Sequence, residues 1–165
     1  MSYIGIEKNK LNKIAQQLNI LLAEYQLYYQ NLRNFHWNIK GENFFELHGV
    51  FEELYNDAKV KIDDIAERIL TLRFRPDSKL STYLKTASIG EIDGRPTDRN
   101  MVAEILEEHK ILIARMRLVL EDASDAKDEG TIDLIAGFLG SLEKRSWMLD
   151  AWLSEEIRKK SSLAA

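Results

Sequence analysis

The chain has 165 residues, of which 27 are acidic and 23 basic, so its formal net charge is −4 at pH 7 and its isoelectric point is near 5.5. This balance is unlike that of the strongly basic domains that bind nucleic acid. The complete absence of cysteine excludes disulfides, thiolate metal sites and thiol catalysis.

The chain shows no sign of export or membrane insertion. Its first residues, MSYIGIEKNK, lack an apolar signal core, and no apolar run approaches the ~20 residues that span a membrane. We therefore expect a cytoplasmic protein with a single domain over residues 1–165, and with short tails at about 1–6 and 160–165.

The first half of the chain predicts two long helices, because apolar residues recur every three or four positions. The first helix runs from about Glu7 to Trp37, and the second from Asn43 to about Leu72. Asn43 is a suitable N-cap, and Glu46 three residues later completes a pattern that resembles a capping box. The apolar stripe of the second helix keeps its period throughout, at Phe44, Leu47, Phe51, Leu54, Ala58, Ile62, Ile65 and Ile69.

The second half predicts two more helices after a long connection. The third helix starts after Pro96, with Thr97 as its N-cap, and the fourth follows Gly130. The connection from Arg75 to Arg95 contains its own amphipathic piece, Leu80 to Ile89. The sequence therefore predicts an all-α fold, a ferritin-like four-helix bundle with a short extra helix in the crossover between helices two and three.

Two pairs of polar residues lie on the second helix at helical spacing, His48 with Glu52 and Asp63 with Glu67. At about 1.5 Å per residue the pairs lie roughly 22 Å apart, although all four residues fall within about 100° of one helix face. One metal ion with ligands at ~2 Å cannot be bound by both pairs. An antiparallel pair of such helices would bring His48 of one chain to Asp63 of another. We therefore predict a metal site of oxygen and imidazole ligands built by two chains, with a solvated charged flank as the alternative.

The other histidines differ in their surroundings. His36 ends the first helix and is predicted to lie beside His48, the alternative being a core or interface histidine. Trp37 follows it, and its alternative role is packing against the start of the second helix. His109 lies on the apolar stripe of the third helix without a carboxylate at helical spacing on that stripe, so we predict a packed histidine and not a ligand.

Other chemistries lack their motifs. The sequence contains no glycine-rich phosphate loop, nucleophile elbow or His-Glu-x-x-His zinc signature. The residues three positions before the histidines are Arg33, Phe45 and Leu106, so the Glu-x-x-His motif of di-iron bundles is absent as well. Carboxylates with few histidines and no sulfur favour Fe²⁺ or Mn²⁺ over Cu⁺ or structural zinc.

The stretch Asn34 to Leu72 strongly resembles the Dps-type miniferritins, the DNA-binding proteins from starved cells. A weaker likeness covers nearly the whole chain, including Trp147-Met148-Leu149. The matching motifs are His36-Trp37-Asn38, Leu47-His48 and the run from Asp63 to Arg68.

The resemblance implies a homo-oligomeric shell of twelve subunits, with a ferroxidase centre between chains related by a two-fold axis. In that arrangement His36 and His48 come from one chain, and Asp63 and Glu67 come from its mate. Glu52 stands where the family often has aspartate, so its role as a direct or water-mediated ligand is open.

The implied reaction is the oxidation of Fe²⁺ by hydrogen peroxide or dioxygen at a di-iron or mono-iron centre, followed by storage of ferric mineral. Trp37 would lie beside the iron and give up electrons. The run from Asp125 to Asp133 resembles an acidic three-fold pore, in which Asp128, Glu129 and Asp133 would attract cations. The alternative for this run is a helix junction whose acids are favoured by the helix macrodipole.

DNA binding is poorly supported, since a subunit of charge −4 repels phosphate. The main prediction is a ferroxidase and iron store. One alternative is a non-catalytic, nucleoid-associated coat on DNA with a degenerate metal site, and another is a helical scaffold whose polar residues only join two chains. The basic residues nearest the termini are Lys8, Lys10, Lys13, Arg158, Lys159 and Lys160.

Overall fold

The computed structural model describes the backbone of residues 2–92 and 96–163, and side chains as far as residue 154. These residues form five helices and no strand, so the predicted all-α class is confirmed. The helices are α1 (Lys8–Asn38), α2 (Phe44–Thr71), α3 (Leu80–Thr86), α4 (Asp98–Ala126) and α5 (Glu129–Leu163).

The helices pack as the predicted four-helix bundle with a short helix in its crossover. α1 packs along α2, α3 and α4, and α4 packs along α5. The apolar stripe of α2 faces this core, with Phe44 and Ile62 half-buried at its edge. Its buried members are Leu47, Phe51, Leu54, Ala58, Ile65 and Ile69. Burial of each large side chain stabilises the bundle by about 1.5–3 kcal/mol, so the opposite face of α2 is turned toward solvent.

The helix starts agree only in part with the sequence prediction. The backbone N–H of Asn100 donates to Thr97 Oγ1 at 3.3 Å, so the predicted cap of α4 is confirmed. The predicted capping box at Asn43 is wrong, because the Asn43 side chain caps nothing and donates instead to Asp98 Oδ2 at 2.8 Å. This bond joins the starts of α2 and α4. Glu46 lies exposed.

The structure describes part of each segment that the sequence predicts as a tail. The Tyr3 hydroxyl donates to the carbonyl of Thr71 at 2.6 Å, and the Arg73 guanidinium lies 4.4 Å from the centre of the Tyr3 ring. At the other end α5 continues to Leu163, into the range expected as a tail. Residues 1, 164 and 165 of the two predicted tails lie outside the described residues.

The corner between α4 and α5 depends on one buried ion pair. Lys127 adopts a left-handed conformation (φ 56°) that ends α4, and Asp128 caps α5 by accepting the backbone N–H of Thr131 at 3.2 Å. The buried Asp128 carboxylate also binds the Arg68 guanidinium, which donates through Nε to Thr131 Oγ1 at 2.8 Å. A Cβ atom at Gly130 would lie 3.0 Å from the Arg68 guanidinium nitrogens, so glycine leaves room for it. The end of α2 is thereby fixed to the start of α5.

The long crossover is held against α1 by asparagine side chains. Asn31 donates to the carbonyl of Gly90 at 2.8 Å and accepts the backbone N–H of Ile92 at 3.1 Å. The same amide donates to Glu108 Oε1 at 2.5 Å, while Glu108 Oε2 is buried without a partner among the described residues. Burial raises the pKa of Glu108 to about 8. The neutral acid is therefore the form that this core favours at pH 7.

Glu108→Gln should remove a pH-dependent loss of stability. The unfolded chain ionises Glu108 near pH 4.5 and the folded chain only near 8, so the folded wild type binds the additional proton and loses stability as the pH rises between these values. Thermal melts from pH 4 to 9 should show the stability of the variant rising relative to that of wild type by up to about 5 kcal/mol across this window. Glu46→Gln, at an exposed carboxylate, is the control. Parallel melting curves for Glu108→Gln and wild type would contradict the account.

Asp128→Ala should destabilise the fold by about 3–5 kcal/mol, because it leaves the largely buried Arg68 guanidinium unpaired and uncaps α5. The exposed Asp133 in the first turns of the same helix is the matched control, and Asp133→Ala should cost less than about 1 kcal/mol. Calorimetric melting of both variants checks the difference. Equal melting temperatures would show that Asp128 has no structural role.

Candidate metal centre

His36 and His48 meet across the short connection between α1 and α2, as predicted. His36 Nδ1 lies 2.8 Å from the carbonyl oxygen of His48, and His48 Nδ1 lies 2.9 Å from that of His36. The rings stack with their centroids 3.7 Å apart. Because a carbonyl only accepts, each Nδ1 carries a proton, and a neutral ring then presents the lone pair of Nε2. This is the arrangement of metal-binding imidazoles oriented by a backbone carbonyl.

Aromatic side chains enclose the histidine pair. Phe44 stacks on His48 at a centroid distance of 5.0 Å, and the Tyr55 ring meets His36 edge-on at 5.3 Å. The Tyr55 hydroxyl also donates to Glu52 Oε1 at 3.3 Å. Desolvation and then the Glu52 charge raise the pKa of Tyr55, so this hydroxyl keeps its proton. The sequence prediction missed Tyr55, although its position three residues after Glu52 places the two side chains on one helix face.

Trp37 lies outside the core. Its side chain is 59% exposed, and the Arg33 guanidinium lies 4.7 Å from the centre of its ring. Packing against the start of the second helix, the alternative considered for Trp37, therefore leaves most of the indole uncovered in the single chain. Trp37 directly follows His36 in the sequence, and the contact that its ring makes in the single chain is with Arg33.

The carboxylates predicted as ligands lie exposed along the outer face of α2. Glu52 is one turn from His48, whereas Asp63 and Glu67 lie toward the far end of the same unbroken helix. The helical rise separates His48 from Asp63 by roughly 22 Å. Across the described side chains, no three His, Asp or Glu residues of one chain lie close enough together to bind a metal ion.

His109 is a packed histidine, as predicted. The Tyr28 hydroxyl lies 2.8 Å from Nε2, and Ser146 Oγ lies 2.8 Å from Nδ1. Burial, with a smaller contribution from Lys61, lowers the pKa of His109 to about 3. The ring is therefore neutral, and both of its nitrogens are engaged by the protein.

The predicted pore residues separate into two kinds. In the single chain the Asp128 carboxylate is buried and engaged by Arg68 and Thr131, and its role in a pore stays a prediction. Glu129 and Asp133 are exposed at the start of α5. Their role in a pore remains a prediction.

No helix in the described part of the chain combines the length and apolar character needed to cross a membrane.

Comparison with known proteins places this geometry in a family. A model of the ferritin-like domain matches residues 15–158. The chain is 40% identical over 151 residues to a DNA protection during starvation protein of Porphyromonas gingivalis, covering 92% of this chain and 95% of the relative. It is also 36% identical over 141 residues to general stress protein 20U of Bacillus subtilis, covering 86% of this chain and 97% of the relative.

Solved structures agree. A Dps protein from Vibrio cholerae, described as a member of a broad superfamily of ferritin-like diiron-carboxylate proteins, superposes with a TM-score of 0.90 at 44% identity, covering 93% of this chain and 96% of that one. A Dps protein from Bacillus brevis gives a TM-score of 0.86 at 36% identity, covering 90% of this chain and 99% of that one. With its five helices and its paired histidines between α1 and α2, the chain belongs to the Dps family of ferritin-like proteins.

Proposed function

We propose that this protein is a ferroxidase and iron-storage miniferritin that oxidises Fe²⁺ at sites shared by two chains. The observation that carries the proposal is the division of the ligand set along α2. His36 and His48 form a stacked pair with their Nδ1 atoms engaged, while Asp63 and Glu67 lie roughly 22 and 28 Å from His48 along the same unbroken helix. Neither half of the described chain brings three candidate ligands close together, so a second chain would complete the site.

An antiparallel pair of α2 helices brings the two halves together. If the two-fold axis passes between Asp57 and Ala58, residues at equal distances from this point face each other. His48 then faces Glu67 of the partner subunit, and Glu52 faces Asp63 of the partner subunit. One register thus satisfies both pairs of candidate ligands, and each dimer contains two equivalent sites.

Exposed apolar residues on α2 support the same register. Phe45 and Leu70 are 89% and 55% exposed in the single chain, and both lie within about 20° of the direction of Glu52 and Asp63 on the helix. In the antiparallel pair Phe45 faces Leu70 of the partner subunit. Burying such side chains contributes about 25 cal/mol per Å², and it would seal both ends of the shared face from water.

The donor set suits ferrous iron as the substrate. Carboxylate oxygens and imidazole nitrogens without sulfur favour Fe²⁺ or Mn²⁺. Each Fe²⁺ supplies one electron, so two Fe²⁺ ions and two protons convert one hydrogen peroxide into two water molecules. A di-iron site delivers both electrons together and avoids the hydroxyl radical that a mono-iron reaction releases. Dioxygen is the alternative oxidant.

Trp37 would give up electrons during the oxidation of iron. It directly follows His36 in the sequence, its indole is exposed, and Arg33 covers one face of its ring. We propose that Trp37 is the catalytic electron donor predicted from the sequence.

Storage requires a closed shell, and we propose a cytoplasmic dodecamer. The Dps relatives and the two-fold register support it. Three copies of the exposed Glu129 and Asp133 around a three-fold axis would focus a negative potential on the path of entering Fe²⁺.

The main alternative is a DNA-coating nucleoid assembly with a degenerate metal site, suggested by the names of the relatives. The lysines near the N-terminus give little support to DNA binding. Lys13 forms an ion pair with Asp122, and Lys10 Nζ donates to the carbonyl of Asp125 at 3.4 Å. Lys8 begins α1. The side chains of Arg158, Lys159 and Lys160 lie outside the described residues.

The double variant His36→Ala with Asp63→Ala should lower the rate of peroxide-dependent Fe²⁺ oxidation by more than about 100-fold, since it removes a ligand from each half of the site. Stopped-flow absorbance measures the rate, and light scattering should show an unchanged shell mass. Asp64→Ala, at the neighbouring carboxylate on another face of α2, is the matched control and should oxidise iron at the wild-type rate.

Unchanged kinetics in the double variant would reject this site. The same samples separate the alternative function. A DNA-coating assembly should retard DNA at low salt in both wild type and the double variant, and the wild type should then lack fast iron oxidation.

A further inference from the structure

Tyr55 contacts two candidate ligands from different helices without being a ligand itself. Its hydroxyl donates to Glu52 Oε1 at 3.3 Å. Its ring meets the His36 ring edge-on, with centroids 5.3 Å apart and planes at 84°. A second ring contact is with Tyr29, whose ring centroid lies 6.1 Å away. Tyr55 thus connects the carboxylate of α2 with the imidazole of α1.

A contact that fixes the side chain matters more for Glu52 than it would for an aspartate at this position. Its side chain is exposed, and it has one more rotatable bond than aspartate. Fixing a free glutamate side chain costs up to about 1.5–2 kcal/mol of rotamer entropy. The Tyr55 ring packs against both His36 and Tyr29. Its hydroxyl is therefore held in place as a hydrogen-bond donor to Glu52 Oε1.

We propose that Tyr55 is a positioning residue that holds Glu52 beside the histidine pair, so that Glu52 binds Fe²⁺ directly. The Tyr55 hydroxyl donates a hydrogen bond to Glu52 Oε1, which leaves Glu52 Oε2 to bind the metal ion. This inference rests on the proposed function. It makes Glu52 a direct ligand of the substrate and assigns the orienting hydrogen bond to a residue three positions later on the same helix.

The test is a double-mutant cycle on the intact assembly with Tyr55→Phe, Glu52→Ala and both changes together. Anaerobic calorimetric titration with Fe²⁺ gives the Kd and stoichiometry, and stopped-flow oxidation gives kcat and KM. Tyr55→Phe keeps the ring and removes only the hydroxyl, so Fe²⁺ binding should weaken about 3–10-fold through loss of one hydrogen bond. KM should rise while kcat changes little.

In the Glu52→Ala background the same Tyr55→Phe change should have no further effect, because the hydroxyl acts only through the carboxylate. Tyr29→Phe is the matched control, since its hydroxyl makes no hydrogen bond with the described residues and its removal should leave Kd unchanged.

Three outcomes would overturn the proposal: an unchanged Kd in Tyr55→Phe, an equal loss in Tyr29→Phe, or an equal loss with and without Glu52. Failure of the proposed function would give a different result. In that case His36→Ala would bind Fe²⁺ as well, or as poorly, as wild type does.

Discussion

The stiffness of α2 is the constraint on which the rest depends. Its 28 residues run without a break, and the interior Gly49 costs only about 1 kcal/mol in a helix packed over its whole length. A straight helix cannot bring its own two ends together. Histidines at one end and carboxylates at the other end can therefore share a metal ion only if another chain runs beside them. The fold of one chain thus specifies half of each site, and assembly supplies the other half.

The histidine pair shows how the bundle prepares its half of the site. Gly41 adopts φ +104° in the connection between α1 and α2, a conformation that glycine tolerates well, and the turn is short enough to place His36 against His48. Each ring then bonds the backbone of the other, so orientation comes from the helix ends and not from flexible side chains. Preorganised imidazoles lose little entropy when a metal ion binds.

Local periodicity predicted the helices, the bundle and the candidate ligands, because helical spacing is a property of neighbouring residues. Contacts between distant residues were beyond its reach. Asn43 is a residue type that commonly caps helices, but its side-chain amide donates to Asp98 of another helix instead. Asp128 resembles a residue of the family's acidic pore, and local spacing could not predict its ion pair with Arg68, sixty positions earlier in the chain. Tyr55 is an exception, because its contact with Glu52 is local. The spacing of three residues could have predicted it from the sequence.

Complementation between two inactive chains tests the shared site most directly. One variant lacks both histidines (His36→Ala, His48→Ala), and the other lacks both acids (Asp63→Ala, Glu67→Ala). Neither should oxidise Fe²⁺ rapidly alone. In mixed shells, confirmed by mass spectrometry, a dimer of unlike chains has one site with all four residues, so random mixing should restore about a quarter of the wild-type sites. Mixed shells that remain as inactive as the separate variants would contradict a centre built by two chains.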